Sequence, residues 1–168
     1  MLVLVEGASD ERALRVLAAR LGRSLDGVEI APLGGAGNAV AFLERNRGRP
    51  VAGLYDAGEA RQFRRALGTE DLEAAGFFAC DPDLEHELIR ALGPASVEEV
   101  LAEHGDLPRF RKFQGQPAQR AVPIERQLWR FIGTASGRKL AYAEYLVEAL
   151  DLERVPRPLE RLLAHVAG

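Results

Sequence analysis

Hydrophobic and polar positions along the chain follow two different periods. Four consecutive apolar residues, 2–5, lead into Glu6-Gly7, and apolar positions then recur at helical spacing as far as Leu21. This pattern predicts a strand, a tight turn and a helix, with Ser9 as the helix N-cap. A strand that is apolar on both faces is typical of a buried parallel sheet, so Glu6 is expected at the sheet edge where α/β proteins bind ligands.

The same alternation of strand and helix is repeated three more times. Strands are predicted at 28–33, 50–55 and 76–80, and helices follow at 38–46, at 60–67 and after Asp83 as N-cap. We therefore predict an α/β, Rossmann-like fold with about four mainly parallel strands flanked by helices. From Gly93 onwards the strand pattern stops and prolines interrupt helical stretches. This predicts an α/β core at 1–92 and a helical extension at 93–168, packed as one compact domain.

Composition agrees with a globular domain. The chain has 168 residues, of which 47% are hydrophobic and 28% charged. No apolar run approaches the roughly 20 residues of a membrane helix, and the first strand lacks a basic leader and cleavage site, so we expect a cytoplasmic protein without membrane contact. The single Cys80 can form neither an internal disulfide nor a zinc site, and we expect it in the core.

Acidic side chains follow three of the four predicted strands. Glu6 ends the first strand, Asp56 the third, and Asp83 and Glu85 follow the fourth. In a parallel sheet with right-handed crossovers these strand ends share one edge, so Glu6 and Asp56 can converge.

An ordered set of motifs resembles the TOPRIM domain of OLD-family (overcoming lysogenization defect) nucleases. The set covers nearly the whole chain and runs in family order: Glu6-Gly7-Ala8-Ser9-Asp10, Gly34-Gly35, Asp56, Asp83-Leu84-Glu85, and Lys139 in a Gly-x-Lys setting before the C-terminal helix. The resemblance implies a TOPRIM fold and a metal-dependent DNA endonuclease or nickase. Its cofactor would be Mg²⁺ or Mn²⁺, with two ions roughly 4 Å apart on hard oxygen ligands.

The resemblance also implies residue roles. Glu6 and Asp10 would hold one ion, Asp56 and Glu85 would lie around the pair, and Lys139 would face the developing phosphate charge; Glu6 is alternatively a general base. Gly34 and Gly35 would let backbone amides approach a phosphate or metal-bound group, or form only a tight connection. Asp10 can instead be an ordinary acid of the first helical turn.

One position departs from the family pattern. TOPRIM domains carry Asp-x-Asp after the third strand, and here the second Asp is replaced by Gly58, followed by Glu59. Glu59 is either a substitute ligand or an acid that favours the helix dipole. OLD nucleases also carry an ABC-type ATPase domain, whereas this chain has no Walker loop, so any ATPase would act in trans or be absent.

Charge is unevenly distributed along the chain. Between 109 and 139, eight basic residues and one acidic residue give a net charge of +7, which leaves −10 elsewhere because the whole chain is −3. This segment is either a phosphate-binding surface or a solvated helical face. The proposed DNA contacts are Arg109, Arg111, Lys112, Arg126 and Arg138. The aromatic residues among them, Phe110, Phe113, Trp129 and Phe131, either stack on nucleic acid or pack in a helical core. The run at 129–132 is the most typical of a core.

Two other functions fit parts of the pattern. A catalytically degenerate TOPRIM module that binds metal or nucleic acid would explain Gly58. A phosphoacceptor receiver domain also uses acids after its first and third strands and a later Lys, but it carries an acid pair after the first strand and lacks so long a helical tail.

Overall fold

The computed structural model describes residues 1–135 and 137–166. Its centre is a sheet of four parallel strands in the order β2-β1-β3-β4. The strands are β1 (Leu2–Val5), β2 (Glu29–Pro32), β3 (Val51–Asp56) and β4 (Phe77–Cys80). Every residue of β1 is buried, because this central strand is covered on both faces.

Within the described residues there are nine α-helices, which connect and cover the strands. They are α1 (Ala8–Arg20), α2 (Ala39–Arg45), α3 (Ala60–Leu67), α4 (Leu84–Leu92), α5 (Pro94–Glu103), α6 (Leu107–Gln114), α7 (Ile124–Gly133), α8 (Arg138–Ala149) and α9 (Arg157–Val166). The prediction of an α/β fold on a four-stranded sheet is confirmed. None of these helices, within the described ranges, is both long and apolar enough to cross a bilayer.

The two faces of the sheet bury separate hydrophobic clusters. Leu2 and Leu4 pack with Phe63 of α3, whereas Val3 and Val5 pack with α1 and with the helices that follow residue 93. Successive strand residues point to opposite faces, which explains why β1 is apolar at every position. The later helices therefore share one core with the sheet. Cys80 is buried in that core, as expected.

Some local boundaries differ from the sequence prediction. Helix α1 begins at Ala8 after Gly7 as N-cap, so Ser9 lies inside the first turn and the prediction of Ser9 as cap is wrong. The cap contact comes from Asp10, whose Oδ2 accepts a hydrogen bond from the Gly7 N–H at 2.8 Å. For the last long helix before the C-terminal one, the sequence predicts either Ser136 or Gly137 as N-cap. Gly137 is the N-cap of α8, and Ser136 lies outside the described residues.

Candidate active site

Residues from five separate segments line one small cleft at the carboxyl edge of the sheet. The cleft has a volume of about 170 Å³. It is lined by Glu6, Gly7, Ser9, Asp10, Gly34, Gly35, Asp56, Glu85 and Lys139. The structure thus brings together Glu6, Asp56 and Lys139, which are the three residues predicted as catalytic, and both predicted glycines. Of the five predicted metal ligands, only Glu59 is not among the residues that line this cleft.

Glu6 and the glycine turn are joined through their backbones. The Gly34 N–H donates to the Glu6 carbonyl at 3.0 Å, continuing the pairing of β2 with β1. Gly34 and Gly35 have φ angles of +67° and +116°, which favour glycine. Because the Gly34 N–H is already bonded to Glu6, that amide is unavailable to a phosphate. The Gly35 amide remains the candidate donor.

Asp10 and Asp56 are held close to Glu6 by the strands and the start of α1. Asp10 is only 7% exposed, and burial raises its pKa despite the hydrogen bond from Gly7. The pKa of Asp56 is raised to about 8, first by burial and then by a hydrogen bond and charge repulsion with Glu6. Carboxylates so arranged repel each other unless a proton or a cation lies between them.

Glu85 lies at the start of α4, where Asp83 caps the helix. Asp83 Oδ1 accepts from the His86 N–H at 2.9 Å, as the sequence predicted for an N-cap. The Glu85 side chain is 5% exposed, and its Oε1 is buried without a hydrogen-bond partner within the described residues. Burial raises the pKa of Glu85 to about 7, although Lys139 opposes this shift.

Lys139 extends into the cleft from the first turn of α8. Its Nζ lies 3.2 Å from Glu85 Oε2. Burial lowers the pKa of Lys139, but the negative charges of Glu85 and Asp10 outweigh burial and raise it. A cation at this end of a helix opposes the helix dipole, and the facing carboxylates compensate for that cost.

Glu59 does not line the cleft. It is the last residue of a short 3₁₀ turn, Ala57–Glu59, and precedes α3. Its Oε2 is buried without a hydrogen-bond partner in the described part of the chain, and burial followed by repulsion from Glu6 raises its pKa. Glu59 is therefore within electrostatic reach of Glu6 but outside the group that shares the cleft.

The donor atoms in the cleft suit a hard divalent cation. They are carboxylate oxygens whose negative charges destabilise one another, and Glu85 Oε1 has no hydrogen-bond partner among residues 1–135 and 137–166. Across residues 1–135 and 137–166, no three acidic, His or Cys side chains form a ready-made metal cluster. Mg²⁺ is commonly held by one or two carboxylates, with water and substrate phosphate completing its shell, and the cleft fits that mode.

The predicted DNA-binding residues divide into two groups. Arg111 forms a bidentate pair with Glu98 at 2.7 and 2.6 Å, and Arg109 pairs with Asp106 at 2.9 Å. Lys112 and Arg126 are exposed and have no ion pair with any residue the structure describes.

Arg138 has its charge engaged inside the protein. It donates to the Phe131 carbonyl at 2.8 Å, and its guanidinium lies 4.0 Å from the centroid of the Phe131 ring. Its side chain is only 16% exposed. Arg138 therefore anchors the start of α8 to α7. The acid pairs of Arg109 and Arg111 further lower the positive charge that the segment 109–139 presents to solvent.

The fold can be compared with those of known structures. The C-terminal region of the Burkholderia pseudomallei OLD protein superposes with a TM-score of 0.71 at 19% identity, covering 99% of this chain and 96% of that chain. The C-terminal region of the Xanthomonas campestris pv. campestris OLD protein superposes with a TM-score of 0.71 at 20% identity, covering 99% and 93%. This chain has the fold of the OLD C-terminal region.

The OLD fold matches the family resemblance that the sequence motifs indicated. No protein-family model matches the sequence, and a search of curated proteins gives no match. At 19% and 20% identity, the OLD structures establish the fold of this chain. Gly7 and Ser9 also line the cleft and were not predicted as site residues. Their position inside the Glu6–Asp10 motif is the signal that could have identified them.

Proposed function

We propose that this chain is a divalent-metal-dependent phosphodiester hydrolase that cleaves or nicks DNA. The observation that carries the proposal is the convergence of Glu6, Asp56, Glu85 and Lys139 in one cleft at the carboxyl edge of the sheet. With Asp10, the cleft holds four acidic side chains and one lysine, a charge pattern suited to metal ions and a phosphodiester. The OLD-type fold supports the same chemistry by analogy.

The residues can be given roles from their chemistry. Glu6 and Asp10 would hold one ion, and Asp56 and Glu85 would complete the binding of Mg²⁺ or Mn²⁺, most plainly as two ions. Such ions supply charge stabilisation to the phosphate and a more acidic water. Lys139 would bind a phosphate oxygen, and its charge would stabilise the additional negative charge of the transition state.

Alternatively, Glu6 would accept a proton from the attacking water as general base. Glu6 is near enough to both neighbouring carboxylates to affect their protonation. Burial raises the pKa of Asp10 and of Asp56, and charge repulsion from Glu6 adds to both shifts. Buried Asp10 keeps its cap contact with Gly7 through Oδ2. The second carboxylate oxygen of Asp10 can therefore face an ion while the first fixes the turn.

The test is cleavage of supercoiled and linear plasmid DNA in Mg²⁺, Mn²⁺, Ca²⁺ or EDTA. Glu6→Gln should lose cleavage in Mg²⁺ and Mn²⁺ without unfolding. The matched control is Glu11→Gln, because Glu11 lies in the first turn of α1 and pairs with Arg15 outside the cleft. Full activity of Glu6→Gln, or activity of the wild type in EDTA, would remove the proposal.

A second candidate is a non-catalytic module that binds metal or nucleic acid through the same cleft. Gly58 favours it, because the chain carries no carboxylate at this position and the space around it is open. Calorimetric binding of Mn²⁺ that is lost in Glu6→Gln, together with absence of cleavage on every DNA form, would favour the module over the hydrolase.

A further inference from the structure

A larger groove adjoins the acidic cleft and shares two residues with it. Its volume is about 550 Å³, within the range of small-molecule sites. Glu85 and Lys139 line both the groove and the cleft, and the remaining groove residues come from α6, the turn between α6 and α7, α7 itself and its C-cap Thr134. A ligand that occupies the groove therefore lies directly beside a phosphate in the cleft.

Two aromatic rings form walls of this groove. Phe113 and Trp129 are half-buried and line it, whereas Phe110 and Phe131 are buried in the core. The structure thus separates aromatic residues that the sequence presented as one group. Only the Phe113 and Trp129 rings have surface available to a ligand in the groove.

Both rings are held in place from the protein side. The Trp129 Nε1–H donates to Asp83 Oδ2 at 2.8 Å, and its ring centroid lies 4.9 Å from that of His86. The Phe113 ring centroid lies 5.7 Å from that of Phe131. Rings fixed in this way lose little entropy when a flat ligand stacks on them.

Polar groups beside the rings match a nucleotide. Arg130 and Lys139 provide positive charge, and Gln119 and Thr134 provide hydrogen-bonding groups. Arg130 has no ion pair with any described carboxylate, and its Nη1 lies 3.5 Å from Gln119 Oε1. Aromatic rings with adjacent cations are the combination that binds bases and backbone of single strands.

We propose that the groove binds an unpaired nucleobase whose neighbouring phosphate lies in the acidic cleft. The substrate would then be single-stranded or frayed DNA, since a base inside an intact duplex is stacked on its neighbours. This inference rests on the proposed function, because it takes the cleft as the place of the scissile phosphate. Beyond that function, the proposal states that the site selects unpaired over duplex DNA.

The single tryptophan makes the groove directly observable. Trp129 is the only tryptophan of the chain, so intrinsic fluorescence reports on this wall alone. A short oligothymidylate titrated in Ca²⁺ should change Trp129 emission and saturate, with a blunt G·C-rich DNA duplex binding at least roughly 10-fold more weakly. Equal affinity for both forms, or binding of the strand with unchanged emission, would overturn the proposal.

Substitutions at the two aromatic positions separate stacking from folding. Phe113→Leu keeps apolar bulk but removes the flat ring, and should weaken binding of labelled oligothymidylate, followed by anisotropy, by roughly 5- to 100-fold. Trp129→Phe should bind within about 3-fold of wild type and Trp129→Leu should not. Phe42→Leu is the matched control, because half-buried Phe42 packs on the other face of the sheet. Unchanged binding in folded Phe113→Leu, or equal weakening in Phe42→Leu, would reject the groove as the binding site.

The readout also separates this inference from the proposed function. Binding in Ca²⁺ is measured without turnover. A chain that binds oligothymidylate through Phe113 but never cleaves DNA would reject the hydrolase and retain the groove. A chain that cleaves through Glu6 with unaltered strand binding in Phe113→Leu would reject the groove and retain the hydrolase.

Discussion

Glu85 and Lys139 form an ion pair of 3.2 Å that joins α4 to α8 at the boundary between the acidic cleft and the aromatic groove. The carboxylate comes from the segment that follows the last strand, and the lysine comes from the helical extension. Arg138, bonded to the Phe131 carbonyl, fixes the start of α8 and so positions its neighbour Lys139. The site is therefore completed by helices that lie beyond the sheet in sequence.

Lys139→Met should reduce plasmid cleavage by about 100-fold, because the phosphate loses the one cation that lines the cleft among the described residues. The same change should raise the pKa of Glu85 above its value of about 7, because Lys139 lowers it. Lys139→Arg should keep part of the activity. Arg47→Met, at an exposed cation that pairs with Glu44 outside the cleft, is the control, and similar activity of the two Met variants would contradict the role of Lys139.

In EDTA, the free energy of unfolding should fall as pH rises from about 4 towards 8. The folded pKa of Asp56 is about 8 against an ordinary 3.8, so the folded state binds the extra proton across this window and loses its advantage as that proton dissociates. Asp56→Asn removes this contribution and should be the more stable protein in alkaline buffer, with Glu85 still contributing in the same direction. Urea unfolding on both sides of the window measures the slope. A wild-type stability that increases with pH relative to Asp56→Asn would contradict the assignment.

Glu59→Gln should lower Mn²⁺ affinity by about 10-fold, the effect expected for a carboxylate that supports a metal site from its edge. Gly58→Asp in the Glu59→Gln background should restore affinity. A Cβ atom added at Gly58 would meet no heavy atom within 4 Å, so the start of an aspartate side chain fits there without displacing a neighbour. Calorimetry with Mn²⁺ measures both effects, and unchanged affinity in Glu59→Gln would exclude Glu59 from the site.

Asp83→Ala should destabilise the protein by about 2 kcal/mol. About half of this is the lost N-cap of α4, and the rest is the lost hydrogen bond from Trp129. Asp83→Asn should cost about half as much, because the amide oxygen can still cap α4 while the amide NH2 cannot accept the hydrogen bond from Trp129 Nε1–H. Asp151→Ala is the matched control: Asp151 caps only the short turn Leu152–Arg154 and has no tryptophan partner. Urea unfolding followed by Trp129 fluorescence measures these differences, and equal costs at the two aspartates would contradict the account.

The sequence by itself determined the order of elements and the placement of acids after strands. Four apolar runs bounded by glycines and acids became four strands, since burial on both faces leaves little choice of residue in a central parallel strand. The strand-end positions of Glu6 and Asp56 follow directly from this, because parallel strands deliver their carboxyl ends to one edge. Residue type predicted the helix caps less well: Asp10, and not Ser9, accepts the hydrogen bond from the Gly7 N–H at the start of α1.

Only the tertiary structure decided which charged and aromatic side chains face the site. Arg111 and Arg138 belong to a basic stretch of sequence, but both guanidinium groups have partners within the protein. Glu98 pairs with Arg111, and Asp106 and Phe131 contact Arg138. Glu59 is adjacent to the motif of Asp56 and yet lies outside the cleft. Phe113 and Trp129 line a groove, whereas equally apolar neighbours are buried in the core. These outcomes depend on packing between segments distant in sequence, and neither local periodicity nor residue type carries that information.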